Sequence, residues 1–147
     1  MVKKFIKENN YNKFIYYFKD DRDLKFLSKN DISFLNKNHK SRICTHSNKN
    51  SFLHEMFIFH QKGTIIKPHK HNVEESFLLL KGKVKLCIYN KKGINIHTSI
   101  IHSIFNKDSK NNFYYRIKKN VMHSQEFLED TYFKESTLGP LNLKKTT

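Results

Sequence analysis

The stretch Gly63-Thr64-Ile65-Ile66-Lys67-Pro68-His69-Lys70-His71-Asn72-Val73-Glu74-Glu75-Ser76-Phe77-Leu78-Leu79-Leu80-Lys81-Gly82 decides the fold. His69 and His71 stand two apart, and Glu75 follows after three intervening residues. Residues two apart on a β-strand point to one face, so both imidazoles can aim at one point without a helix. The 72–74 segment leaves room for a turn, and Glu75 opens a second apolar run that brings its carboxylate back to the same place. Two nitrogens and one oxygen from adjoining strands are three parts of a transition-metal site. On an extended chain the neighbouring Glu74 faces the other way.

Downstream, 83–89 alternates, with Val84, Leu86 and Ile88 inward and Lys83 and Lys85 outward. Asn90-Lys91-Lys92-Gly93 reads as a hairpin turn. Ile94, Ile96, Thr98 and Ile100 are then expected on the inner face of the returning strand, with Asn95, His97 and Ser99 on the other. A polar loop over 106–112 precedes three more short strands, at 113–117, 121–127 and 131–137. Upstream, 42–46 and 55–60 read as strands.

Ser28-Lys29-Asn30-Asp31 resembles a capping box, and Ile32 and Leu35 continue it as a short helix to about Asn38. No period holds for long over 1–27, an apolar and aromatic segment that suits packing on the main body or on a second subunit. About eight short, turn-separated strands after one helix indicate an all-β, closed or two-sheet antiparallel architecture. The expected divisions are an arm and short helix over 1–40, a barrel over 41–140 and a fraying tail over 141–147.

The chain has 147 residues, 37% hydrophobic and 14% aromatic, which suits one globular domain with a bulky core. Its formal net charge is +15, but only three of the 28 basic residues are arginines, Arg22, Arg42 and Arg116. The lysines are scattered without a block of five, and no RNP motif, helix-turn-helix or basic amphipathic helix accompanies them. We read them as solvated surface and expect no nucleic-acid partner, while an anionic small ligand suits the charge. No apolar run is long enough to span a bilayer, so no membrane insertion is expected. The basic start lacks the apolar centre of a signal peptide, which makes the cytoplasm the expected location. Cys44 and Cys87 give no disulfide framework and read as buried small hydrophobes.

Gly63, His69, His71, Glu75 and Gly82 match every fixed position of the first cupin motif, G-x5-H-x-H-x3-E-x6-G. Five fixed residues over twenty positions are far more specific than a bare His-x-His. The second motif, G-x5-P-x-G-x2-H-x3-N, survives only in its histidine, His123. Asn112 stands at the first glycine, Lys118 at the proline, Asn120 at the turn glycine and Phe127 at the final asparagine. Asn is among the residues that best tolerate positive φ.

Further phrases, Arg42-x-Cys44-x-His46, Glu55-Met56, Glu75-Ser76-Phe77, Tyr115-Arg116-Ile117 and Gly139-Pro140, resemble the WbuC family of cupin fold metalloproteins over about 28–140. That resemblance implies a cupin jelly-roll (double-stranded β-helix) barrel and a role in making or modifying a surface polysaccharide such as O-antigen. It also implies a metal set of His69, His71, Glu75 and His123. Such a set leaves positions open on one divalent ion, with Fe, Mn, Ni, Zn and Cu all compatible.

For substrate contacts, Arg42 and Arg116 are candidates because a guanidinium grips carboxylate or phosphate bidentately. His46, His54 and His60 beside the inner strands, together with Tyr115, are the acid–base candidates. The leading expectation is a metal-dependent isomerase or epimerase of a sugar or sugar-nucleotide. An Fe(II)-dependent dioxygenase and a non-catalytic, metal-dependent ligand-binding module are the alternatives. A homodimer is expected, formed through sheet edges or the 1–27 segment.

Overall fold

The computed structural model describes residues 2–5, 40–106, 112–140 and 145–147. Its strands are β1 (Val2–Phe5), β2 (Lys40–Cys44), β3 (Leu53–His60), β4 (Ile65–His69), β5 (Glu75–Lys81), β6 (Lys83–Tyr89), β7 (Asn95–His102), β8 (Tyr114–Ile117), β9 (Met122–Phe127) and β10 (Thr131–Leu138). They form two sheets, ordered β1-β2-β3-β10-β5-β8 and β4-β9-β6-β7. Every pairing is antiparallel except β1 with β2. The helix expected before Asn38 lies outside the described residues, as does most of the 1–27 segment. No helix among the described residues is long and apolar enough to cross a membrane.

Register explains what faces inward, because residues paired across antiparallel strands share a face. In the larger sheet Arg42, Ile58, Phe133 and Leu79 form one inward row across β2, β3, β10 and β5. Cys44, Met56, Glu135, Phe77 and Tyr115 form the next. His54, Thr137, Glu75 and Ile117 form a third. The smaller sheet answers with Val84 opposite Phe127, Leu86 opposite Gln125 and Ile88 opposite His123.

Met56, Ile58, Phe77, Leu79 and Phe133 from one sheet meet Val84, Leu86, Ile101 and Phe127 from the other in a single core. Full burial of one such Leu or Phe contributes about 1.5–3 kcal/mol. Cys44 and Cys87 are both buried, as expected.

Two expectations are corrected. Just before and on β7, Ile94 and Ile96 are 57% and 61% exposed, whereas Ile101 is 1% exposed. Leu86 pairs with Ser99 and Val84 with Ile101, so the inner phase runs through the odd-numbered residues of β7. A one-residue slip turns every side chain to the opposite face. The pairing shifts between Ile88 and Tyr89, and adjacent Ile100 and Ile101 fit either phase. The second correction concerns the tail: 145–147 is pinned to the barrel, with Lys70 and Thr147 exchanging backbone hydrogen bonds of 2.8 and 2.9 Å.

The turn positions behave as read. Gly93 closes the β6–β7 hairpin at φ 77°, and Asn120 adopts φ 63° in the place of a glycine. Gly63 and Gly82 also have positive φ, at 85° and 99°. A methyl on Gly82 would lie 2.6 Å from the Asp130 carbonyl oxygen and 2.7 Å from Thr131 Cα, while one on Gly63 would meet nothing within 4 Å. We therefore expect Gly82→Ala to lose on the order of 3 kcal/mol of stability in urea unfolding, from backbone strain and overlap together. Gly63→Ala should lose only about 1 kcal/mol, from strain alone. Equal losses would show that the close approach of Gly82 to β10 is no constraint.

Candidate metal centre

Three strands and one turn bring the metal candidates together. His69 ends β4 and lies opposite His123 on β9, His71 follows β4, and Glu75 opens β5. Ile66 also pairs into the sheet, opposite Gln125, although it is three residues from His69 rather than two. The β-bulge between them changes the phase of the strand and turns His69 inward. Pro68 lies within the bulge on an edge strand, where its missing N–H breaks no inner ladder.

One donor atom from each of His69, His71 and His123 lies within 4.8 Å of the others. Glu75 Oε2 stands 3.4 Å from His71 Nε2. His123 and Glu75 are buried, at 1% and 4% exposure, and the other two histidines are half-buried.

The donor chemistry fits a metal ion. His69 Nδ1 lies 2.7 Å from the Lys67 carbonyl, and His123 Nδ1 lies 3.0 Å from the Val121 carbonyl. A carbonyl oxygen only accepts, so each Nδ1 carries a proton and Nε2 is the nitrogen left to face a metal. His71 Nδ1 lies 2.8 Å from Thr146 Oγ1. Neutral imidazoles held this way, beside one carboxylate, make a mixed nitrogen–oxygen set suited to a divalent transition metal.

The site opens into a cleft of about 510 Å³, where Arg42, His60, Gln125, Glu135 and Thr146 join His69, His71 and Glu75. Arg42 sits half-buried, with Nη1 3.4 Å from Met56 Sδ. Its Nε is buried and has no hydrogen-bond partner among the described residues.

The other sequence candidates are distributed more widely. His60 lines the cleft, packed against Phe127 and Phe133 at ring separations of 4.3 and 5.5 Å. His46 lies beyond the end of β2 and stacks on His54 at 4.0 Å, with its Nδ1 on the Glu55 backbone. Arg116 is exposed and pairs with Glu74, which accordingly lies outside the histidine cluster. Tyr115 lies behind the cleft wall, stacked on Phe77 and accepting a 2.5 Å hydrogen bond from Gln125 Nε2. Burial pushes the Tyr115 hydroxyl well above the usual tyrosine range. The Gln125 bond opposes that rise, while the charges of Glu135 and Glu75 add to it. Tyr115 therefore stays a neutral phenol rather than a base.

Among the lining residues that sequence reasoning did not single out are Gln125, Glu135 and Thr146. Glu135 alternates in phase with Phe133, and Gln125 with His123 and Phe127, so both were legible once those strands were phased. Thr146 carried no sequence signal at all.

Residues 35–101 match a family described as a domain of unknown function, DUF6016. No curated protein matches the chain in sequence. Among solved structures, a conserved protein of unknown function from Streptococcus pyogenes is 12% identical with a TM-score of 0.53, over 71% of this chain and 77% of that one. A salicylate 1,2-dioxygenase from Pseudoaminobacter salicylatoxidans is 10% identical with a TM-score of 0.67, over 88% of this chain but only 38% of the dioxygenase. An oxalate oxidase solved with the substrate analogue glycolate is 14% identical with a TM-score of 0.56, over 76% of this chain and 55% of the oxidase. At such identities the likeness is one of architecture, and the dioxygenase and the oxidase are cupins: the chain has the cupin fold.

Proposed function

We propose that the protein is a metal-dependent enzyme that seats a small anionic substrate against a divalent ion held by His69, His71, Glu75 and His123. The observation that carries this reading is the convergence of that donor set on a cleft that also holds a half-buried arginine. The ion supplies Lewis acidity toward a carbonyl or hydroxyl oxygen of the substrate. Arg42 offers its buried Nε to a carboxylate or phosphate, a charge-assisted contact that fixes the orientation of the substrate. Glu135 or His60 carries a proton to or from the carbon or oxygen that faces it. Tyr115, as a neutral phenol, orients Gln125 at the wall.

The WbuC resemblance supports a sugar or sugar-nucleotide of surface polysaccharide synthesis as substrate, with isomerisation or epimerisation as the reaction. Oxygenation is the second reading, favoured by the fold shared with salicylate dioxygenase and oxalate oxidase, both of which act on carboxylates by name. Metal analysis of protein purified without added metal separates the two. Iron together with oxygen uptake supports oxygenation, and another metal with sugar-nucleotide turnover supports isomerase chemistry. A metal without turnover of either kind leaves a binding module.

Glu75→Gln keeps the side chain's size and removes the only formal negative charge among the four ligands. It should weaken divalent metal affinity on the order of tenfold or more while the barrel still folds by circular dichroism. Glu74→Gln should leave affinity unchanged, since Glu74 pairs with Arg116 instead. Equal affinities in the two variants would end the ligand assignment. In calorimetry, Arg42→Met should weaken binding of glycolate or glucose 1-phosphate to the metal-loaded protein by about tenfold or more. Unchanged binding of both anions would remove Arg42 from the site.

A further inference from the structure

Each of the three imidazoles has an oxygen at its Nδ1, but the three oxygens differ in origin. For His69 and His123 it is the backbone carbonyl two residues earlier, Lys67 and Val121, so the brace comes from the ligand's own stretch of chain. For His71 the structure offers a side chain 75 residues further along the chain, the Thr146 hydroxyl at 2.8 Å. We infer that Thr146 is the positioning residue of the third metal histidine, its Oγ1 accepting the Nδ1–H of His71 and thereby reserving Nε2 for the ion. The inference rests on the metal reading of the site.

The backbone around this contact is arranged to produce it. Lys70 and Thr147 exchange both backbone hydrogen bonds, and Asn72 donates to the Lys145 carbonyl at 3.2 Å. Asn72 Oδ1 accepts in return from Lys145 N at 2.6 Å. His71 and Thr146 are therefore the intervening bridge pair, in antiparallel register and flanked by the hydrogen-bonded pairs on either side. Side chains approach most closely at such positions. On the other side, the His71 carbonyl accepts from Asn120 N at 2.6 Å, tying the same residue to the turn before β9. His71 is the one metal histidine that lies outside a strand, and the oxygen at its Nδ1 comes from Thr146. The strap at 145–147 supplies from a distant part of the chain what the residue two positions earlier supplies for His69 and His123.

A hydroxyl in this role differs from a carbonyl in one respect. It can donate as well as accept, so the tautomer of His71 is set only when Oγ1 turns its proton away from Nδ1. Binding of a cation at Nε2 selects that arrangement, because a nitrogen that holds a metal cannot also hold a proton. Thr146 thus acts on the metal through His71 and touches neither ion nor substrate for this purpose.

The test compares Thr146→Val, which keeps the shape and removes the hydroxyl, with Thr146→Ser, which keeps the hydroxyl. The probe is Co(II), titrated into metal-free full-length protein and read from its visible absorption bands, which report ligand geometry. Thr146→Val should bind Co(II) about tenfold more weakly and with altered bands, while Thr146→Ser should stay within about twofold of the parent protein. Urea unfolding of the metal-free proteins should be the same for all three, as an exposed hydroxyl adds little to the fold itself. If Thr146→Val binds as the parent does, or Thr146→Ser is as weak as Thr146→Val, the hydroxyl is no brace. If the parent protein takes up no Co(II), the metal reading falls and this inference falls with it. Loss confined to the variants leaves the metal reading standing.

Discussion

The bulge between Ile66 and His69 is the constraint on which the site depends. Without it, β4 would run in strict alternation from Ile66, and His69 would face solvent beside Ile65 and Lys67. One extra residue lets the strand give Ile66 to the core and His69 to the cleft. The same register places His69 opposite His123 and keeps Gln125 inward between His123 and Phe127. A local irregularity of backbone thus converts a core-forming strand into one that is apolar at one end and ligating at the other.

That division runs through the whole barrel. The inward rows of the larger sheet pass from one that is apolar apart from Arg42, through Ile58, Phe133 and Leu79, to a mixed one, through Met56, Glu135 and Phe77. They end at Glu75 and Thr137. Burying a carboxylate such as Glu75, at 4% exposure, beside His123 at 1%, opposes folding unless partners compensate. A metal ion is a strong compensator, because its binding energy is gained only by the folded arrangement of ligands. The core of Phe and Leu side chains below the site supplies the stability that the polar end withholds.

How much of this was legible follows from which signals are local. The turn glycines, the hairpin at Asn90–Gly93 and the positive φ of Asn120 are single-residue properties, and the sequence carried them. The convergence of His69, His71 and Glu75 was legible because their spacing is short and period-2 strands flank it. The phase of β7 was not, since a register shift at Ile88 and two adjacent isoleucines left two phases equally apolar. Arg116 was singled out for its chemistry, but its partner Glu74 is 42 residues away in the chain, and only pairing of β5 with β8 brings them together. Thr146 is the extreme case. Nothing in a terminal Lys-Lys-Thr-Thr marks it, because its role exists only through the backbone pairing of 145–147 with Lys70 and Asn72.

Under the proposed function, charge would tie the metal to the kind of molecule the cleft accepts. The formally charged groups lining it besides the histidines are Arg42 and Lys67 against Glu75 and Glu135, which cancel. A divalent cation on the histidines therefore leaves the cleft positive, at short range and partly out of water, where the effective dielectric constant is well below that of bulk solvent. An anion entering beside Arg42 then meets two positive centres instead of one, and by linkage it strengthens the hold on the ion by the same factor that the ion strengthens its own. The excess of surface lysines cannot supply this discrimination, because exposed charges more than about a Debye length away are screened by salt. On the proposed function, selectivity for anions would belong to the occupied centre and Arg42 together, and the basic surface would contribute at most the rate at which such molecules arrive.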